Sequence, residues 1–438
     1  SIEHCLDGTN IVPEIYKTYG ILMIGSSNNT VVANNVYVSS LVNESNIKNS
    51  TNSLVGIDFY YDCDNNTTKD NTVRVEGNDN YLYGAGALAY PTGQPGSSTA
   101  KNNTFFNNTI TVKGYNVVEG FIFGEGCEDN TVDTNHVKLN TNGTAYGITL
   151  ERSDATTIKN NEITFTADKG YGIEFYDSDC NIITNNNITG NGNLICGIAG
   201  ANAKSNVIEE NVINAYGSNS TVSRIHDSIN APNSGIYFDG NSTDNKINNN
   251  KITTLIGYPV DLSEDATSNN ITDNYLKGEI ASGDAGVNNS EGNLVKDNYY
   301  LIFNDLEMDN MIVPYMSNMT IVLKGDKEDD GAVVVFKLNG NVIGNATLVN
   351  GVATLNYTLG KSYTVGNYPI IAEVSKADYK PVELTADLEV VRANITVYVA
   401  DVSAKPGQKN VQFIAIVTDA SGNPIASREV KFYRGANY

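Results

Sequence analysis

Asn181-Ile182-Ile183-Thr184-Asn185-Asn186-Asn187-Ile188 holds a phrase that the chain keeps repeating: Asn-x-(Ile/Val)-x-x-Asn-x-apolar. Clear copies begin at Asn130, Asn206, Asn245 and Asn293, and weaker ones at Asn29, Asn66, Asn103, Thr156 and Asn269. The first column is thus Asn in every copy except the one that opens with Thr156. The second column, which runs from Asn34 through Asn71 and Asn108 to Asn298, has no exception. Three residues before the first column the side chain is always small, as at Cys63, Ala100, Cys127, Ser153 and Ser178. Most copies also have a Gly-apolar-x-apolar stretch upstream, such as Gly147-Ile148-Thr149-Leu150 or Gly172-Ile173-Glu174-Phe175. A unit recurring about every 25 residues decides the fold, because each copy buries its apolar face only against its neighbours.

The pattern predicts an all-β protein: a right-handed parallel β-helix over residues 1–312, with about ten coils, followed by immunoglobulin-like sandwich domains. Within a coil, period-two apolar residues point into a narrow core. Small residues fit where the chain bends inward, and an Asn at the next corner tolerates unusual backbone angles and bonds to main chain. Stacking then makes each Asn column a ladder. A helical solenoid is excluded, since a unit rich in Asn, Gly, Thr and β-branched residues has poor helix propensity throughout. Insertions lengthen the period near 37–55, 90–96 and 214–234, and on a repeat scaffold such loops carry function.

Residues 299–312 read as the close of the β-helix core. From 313 the Asn density falls and alternating strands appear, at Thr320 to Lys324, Ala332 to Leu338, Val352 to Thr358, Tyr368 to Val374 and Val382 to Val390. Asn339-Gly340 and Asn350-Gly351 mark tight turns between them. Residues 313–393 therefore read as one immunoglobulin-like domain without disulfide or Trp, and 394–438 as the incomplete start of a second.

A net charge of -22 argues against nucleic acid or an anionic membrane surface as partner. Cys63 and Cys127 share a column but sit two coils apart, too far for a disulfide. Free, mostly buried thiols are expected. No stretch reads as a transmembrane helix or signal peptide, and the chain reads as a piece of a longer protein. No metal-ligand spacing and no cofactor motif is present, so neither is expected.

The coils resemble pectate-lyase-like parallel β-helix repeats. Their combination with disulfide-free immunoglobulin-like domains resembles the adhesin-like surface proteins of methanogenic archaea, over nearly the whole chain. That resemblance implies an extracellular, cell-surface adhesin whose partner is a surface glycan or a partner-cell protein. Two alternatives stay open: an extracellular polysaccharide lyase or hydrolase, and a structural wall component that self-assembles.

The enzymatic candidates lie on the outward side of the Gly-apolar-x-apolar strands. If Ile148, Leu150, Ile173 and Phe175 point in, then Glu151, Glu174 and Tyr176 point out, with Asp177 at the adjoining corner. Glu151 and Glu174 become diagonal neighbours on adjacent coils, a spacing at which paired carboxylates can act as acid and base. The motifs of β-helix lyases and galacturonases do not match here, and the bland reading is a solvated acidic face. The binding candidates are Tyr60, Tyr176, Tyr237 and Asp239 on that face, and Arg224 and His226 in the 214–234 insertion.

Overall fold

The computed structural model describes residues 17–40, 53–78, 80–89, 99–219, 231–278, 286–288, 291–419, 422–426, 429–433 and 435. The chain divides into two compact units, Ser1–Leu301 and Ile302–Tyr438.

In the first unit every strand pairs in parallel with its equivalent one coil away. Ten short strands, among them Thr131–Asp133, Thr157–Lys159 and Ile182–Thr184, form one sheet. They occupy the few residues between the two Asn columns. The remaining strands form a long sheet that bends around the rest of each coil. In Glu162–Tyr176 and Asn187–Ala201 a single continuous strand covers the bend. The repeated glycine lies in the strand segments that follow the bend, Gly147 in Thr144–Glu151 and Gly172 in Glu162–Tyr176. A Cβ on Gly147 would collide with the carbonyl oxygen of Gly172, and one on Gly172 would press on that of Gly197, so only glycine lets adjacent coils close there. The arrangement is a parallel β-helix.

Its core is an apolar stack. Ile57, Ala85, Phe121, Ile148, Ile173, Ile198, Ile236 and Val260 follow one another in register, and all are fully buried. The small-residue column lies in the same interior, with Cys63, Ala100, Cys127, Ser153, Ser178 and Ala203 at zero exposure.

The second Asn column is an unbroken ladder. From Asn34 to Asn274 each backbone N–H donates to the side-chain Oδ1 of the next Asn, at 2.9–3.0 Å. Each Nδ2 from Asn71 to Asn298 donates back to a main-chain carbonyl of the preceding coil. The first column does the same at 2.8–2.9 Å on either side of Thr156. Thr156 is too short to continue it, and its buried Oγ1 has no partner.

One expectation needs correction. The unusual backbone belongs not to the Asn columns but to the residue just before each of them. Asn65, Asn102, Asp129, Ala155, Cys180 and Ser205 precede the first column at φ between 55° and 59°, and Ala33, Asp70, Thr134 and Glu210 precede the second at 54° to 59°. A left-handed conformation costs a non-glycine residue roughly 1–2 kcal/mol. The charge-free amide ladder beside the corners offsets that cost with buried bonds, complete along the second column and interrupted around Thr156 in the first, where the side-chain amide nitrogens of Asn103 and Asn181 are buried without a partner.

Cys63, Cys127 and Cys196 are free and buried, whereas Cys180 is free and exposed at its corner.

In the second unit, Asn318–Lys324 and Val352–Thr358 pair antiparallel in a small sheet with Glu307–Met308. A larger sheet runs Met311–Pro314, Val382–Val391, Gly366–Ser375, Val333–Leu338, Asn341–Thr347. Ile321, Leu323, Val334, Phe336, Ile370 and Leu388 from the two sheets share one core. Asn339-Gly340 and Asn350-Gly351 take positive φ at both residues, as tight hairpins require. Within residues 299–312, read in the sequence as the close of the β-helix, lie Glu307–Met308 and the start of Met311–Pro314, both strands of this unit. Ile395–Val399 and Ala415–Asp419 form a separate antiparallel pair.

Candidate functional site

The outer side of the long sheet carries the sequence candidates. Three outward columns run along it. One reads Tyr83, Glu119, Tyr146, Tyr171, Cys196, Ser234, Tyr258. The next reads Asp58, Gly86, Ile122, Thr149, Glu174, Ala199, Tyr237, Asp261, Asn288. The third contains Tyr60, Leu88 and, further on, Glu151, Tyr176, Ala201 and Asp239.

Much of this face is sealed, not solvated. Tyr146, Tyr171, Tyr176, Cys196, Ala199, Ala201, Ala231 and Tyr237 form an apolar cluster of their own outside the β-helix core. Tyr146 and Tyr171 stack with ring centroids 5.6 Å apart. Glu174, read as a solvated outward carboxylate, is 1% exposed, and Glu119 is 4% exposed. Burial, with Glu119 and Glu151 nearby, pushes the Glu174 carboxyl up to about 8. Burial pushes Glu119 up to about 8 against a hydrogen bond with Tyr81 that pulls the other way. Asp58, fully buried, rises to about 7 although the Tyr83 hydroxyl donates to its Oδ2 at 3.0 Å. One oxygen each of Asp58, Glu119 and Glu174, and the Thr149 hydroxyl, has no hydrogen-bond partner. These carboxyls are held neutral at pH 6 and below.

Glu151 and Asp177 lie at the rim of the sealed layer and share a cation. Arg152 stands 3.4 Å from Glu151 and 3.8 Å from Asp177, and also reaches Glu125 at 3.1 Å. The Tyr176 hydroxyl bonds to Glu151, and the Tyr176 ring is 8% exposed beneath the Arg152 guanidinium. The structure thus places Glu151, Glu174, Tyr176 and Asp177 together, with Arg152 at the same corner where the sequence put it, and adds Glu119 to them.

The other candidates are dispersed. Tyr60 sits four coils from Tyr176, roughly 19 Å at the usual strand spacing, half-buried against the Tyr61 ring at 3.7 Å. Tyr237 is 8% exposed and its hydroxyl bonds to Asp239. Tyr176 and Tyr237, read as outward binding candidates, are both packed into the tyrosine layer. Arg224 and His226 lie outside the described residues.

Beyond Tyr237 the face opens. A cleft of about 580 Å³ is lined by Tyr237, Tyr258, Pro232, Asp261, Ser263, Glu264, Asn288 and neighbours. Asn288 Nδ2 donates to Asp261 Oδ1 at 2.7 Å, and the Ser263 hydroxyl has no partner. The sequence reading missed this cleft and Glu119. Glu119 had a signal: the residue before the repeated glycine is Tyr83, Tyr146 and Tyr171 in sister coils, and a carboxylate in an aromatic column stands out. For the cleft only Tyr237, in Gly235-Ile236-Tyr237-Phe238, carried a signal; Tyr258, Asp261 and Asn288 come from coils where the Gly-apolar-x-apolar phrase has decayed.

Fold and face together define a parallel β-helix protein with a layered outer sheet. Residues 115–224, about a quarter of the chain, match a protein family described as "Periplasmic copper-binding protein (NosD)". No curated protein matches the chain. Copper requires converging thiolate, thioether or imidazole donors. Within the matched stretch Cys127 and Cys196 are buried and Cys180 is exposed at a corner, while His136 pairs with Glu162 at 2.9 Å on the surface. Among the described residues no group of three or more His, Cys, Asp or Glu is placed to share a metal ion. The donor set described does not fit copper. Among the same residues no helix is long and apolar enough to cross a membrane.

Proposed function

We propose that this chain is an adhesin-like recognition protein of the cell surface, with the β-helix presenting the binding face and an immunoglobulin-like second unit serving as a stalk. The observation that carries this reading is the open cleft at Tyr237, Tyr258, Asp261 and Asn288 on a sheet face that is sealed over much of its length. Binding sites are concave, mostly apolar and set with a few oriented polar groups, and this cleft has that make-up. The strong negative charge suits a solvated extracellular surface. The match to a periplasmic family supports a place outside the cytoplasm. Surface glycans or partner-cell proteins are the proposed ligands.

Polysaccharide cleavage through Glu151 and Glu174 is the weaker reading. It needs an acid and a base that substrate can reach, and Glu174 is sealed while Arg152 holds Glu151 and Asp177. The test is binding of the labelled full chain to whole cells of its own community. Binding weakened by Tyr258→Ala with the fold intact supports recognition through the cleft. Binding equal to wild type places recognition elsewhere and overturns the assignment.

A further inference from the structure

We infer that the cleft accepts an uncharged hexopyranose unit of a glycan and discriminates against uronic acids. The inference rests on the recognition reading above and gives it a ligand class.

Two features of the cleft converge on this chemistry. Tyr258 and Pro232, both partly exposed, offer apolar surface against which the C–H face of a sugar ring packs, with the largely buried Tyr237 behind them. The polar groups are few and oriented. Asn288 Nδ2 fixes the Asp261 carboxylate at 2.7 Å, so that its geometry is set before a ligand arrives. A carboxylate accepts from vicinal sugar hydroxyls by short charge-assisted bonds.

Charge then selects among sugars. Asp261 and Glu264 are the ionisable acids of the lining, and none of the described lining residues is Lys, Arg or His. A uronate would bring a third carboxylate into a partly desolvated site with no cation to meet it, and like-charge juxtaposition of this kind suppresses wrong partners. A neutral ring has no such penalty. The volume of about 580 Å³ falls within the ordinary span of small-ligand sites.

The experiment is calorimetric titration of the full chain with neutral tetrasaccharides (a β-1,4-glucan, a β-1,4-mannan and an α-1,4-glucan) and with tetragalacturonate. The expected result is binding of at least one neutral member, weakened roughly tenfold or more by Tyr258→Ala and retained by Tyr258→Phe, which keeps the ring. Tetragalacturonate should bind at least about tenfold more weakly and gain affinity in the Asp261→Asn/Glu264→Gln double variant. Tetragalacturonate binding as tightly as the best neutral member would overturn the selectivity. Neutral binding indifferent to Tyr258→Ala would overturn the site. If no oligosaccharide binds, the ligand class fails, and whole-cell binding by the same preparation then reports separately whether recognition survives.

Discussion

From Tyr83 to Tyr176 the outer face of the long sheet is covered and holds neutral carboxyls; from Tyr237 to Asn288 the same face, in the same register, opens into a cleft. Strand alternation places side chains on the outer side in both stretches. What differs is the next layer. In the first stretch packed tyrosines cover the sheet, with Tyr146 and Tyr171 stacked across neighbouring coils, and the buried acids there are held neutral. In the second an oriented Asp–Asn pair stands in a wall with space before it. Facing outward and facing solvent are separate properties, and only the first is set by period two.

The largest test of this contrast is truncation of a tyrosine in each stretch. Tyr171→Ala, at a fully buried position, should cost about 3–5 kcal/mol in urea unfolding. Tyr258→Ala, at the cleft wall, should cost under about 1 kcal/mol. Equal costs would break the comparison. A pH series sharpens it next. Glu119 and Glu174 have folded-state values of about 8 and Asp58 of about 7, all above their ordinary carboxylate values. The folded chain therefore binds more protons than the unfolded chain between about pH 4 and 8, so stability falls as pH rises through that window. Each group contributes a slope of up to about 1.4 kcal/mol per pH unit. Glu174→Gln, which mimics the neutral acid, should match wild type near pH 4 and exceed its stability by roughly 4 kcal/mol at pH 8. A variant whose advantage does not grow with pH would show that Glu174 is not held neutral.

Thiol chemistry reports the same contrast without mutation. Burial raises the Cys196 thiol to about 12, and Cys127 likewise, while Cys180 is exposed. Alkylation followed by peptide mapping should label Cys180 in the native chain and reach Cys63, Cys127 and Cys196 only on unfolding. The smallest effect concerns the scaffold beneath both stretches. Thr156→Asn should complete the interrupted ladder and raise stability by about 1 kcal/mol, read as a shift in the urea midpoint.

The β-helix was legible because its evidence is periodic. Asn columns, small columns and the glycine phrase each recur often enough to override local ambiguity, and the ladders follow from them. The left-handed corners were not legible, since Ala33, Asp70, Thr134 and Glu210 share a conformation and no side-chain chemistry. The sealing of Glu174 was not legible either. It depends on Tyr146 and Tyr171 lying over the face and on Ala231, which is distant in sequence. The diagonal placement of Glu151 and Glu174 was readable from register; their opposite environments were not.

The left-handed corners also make the molecule a graduated rule. Asn65, Asn102, Asp129, Ala155, Cys180, Ser205, Asp244 and Ser268 are exposed, one per coil, at a conformation that tolerates many side chains. Successive marks are about 4.8 Å apart, the spacing of neighbouring strands. Probes or ligands attached at chosen corners would stand in a line at known multiples of that interval, on a surface that leaves the core and the opposite sheet untouched.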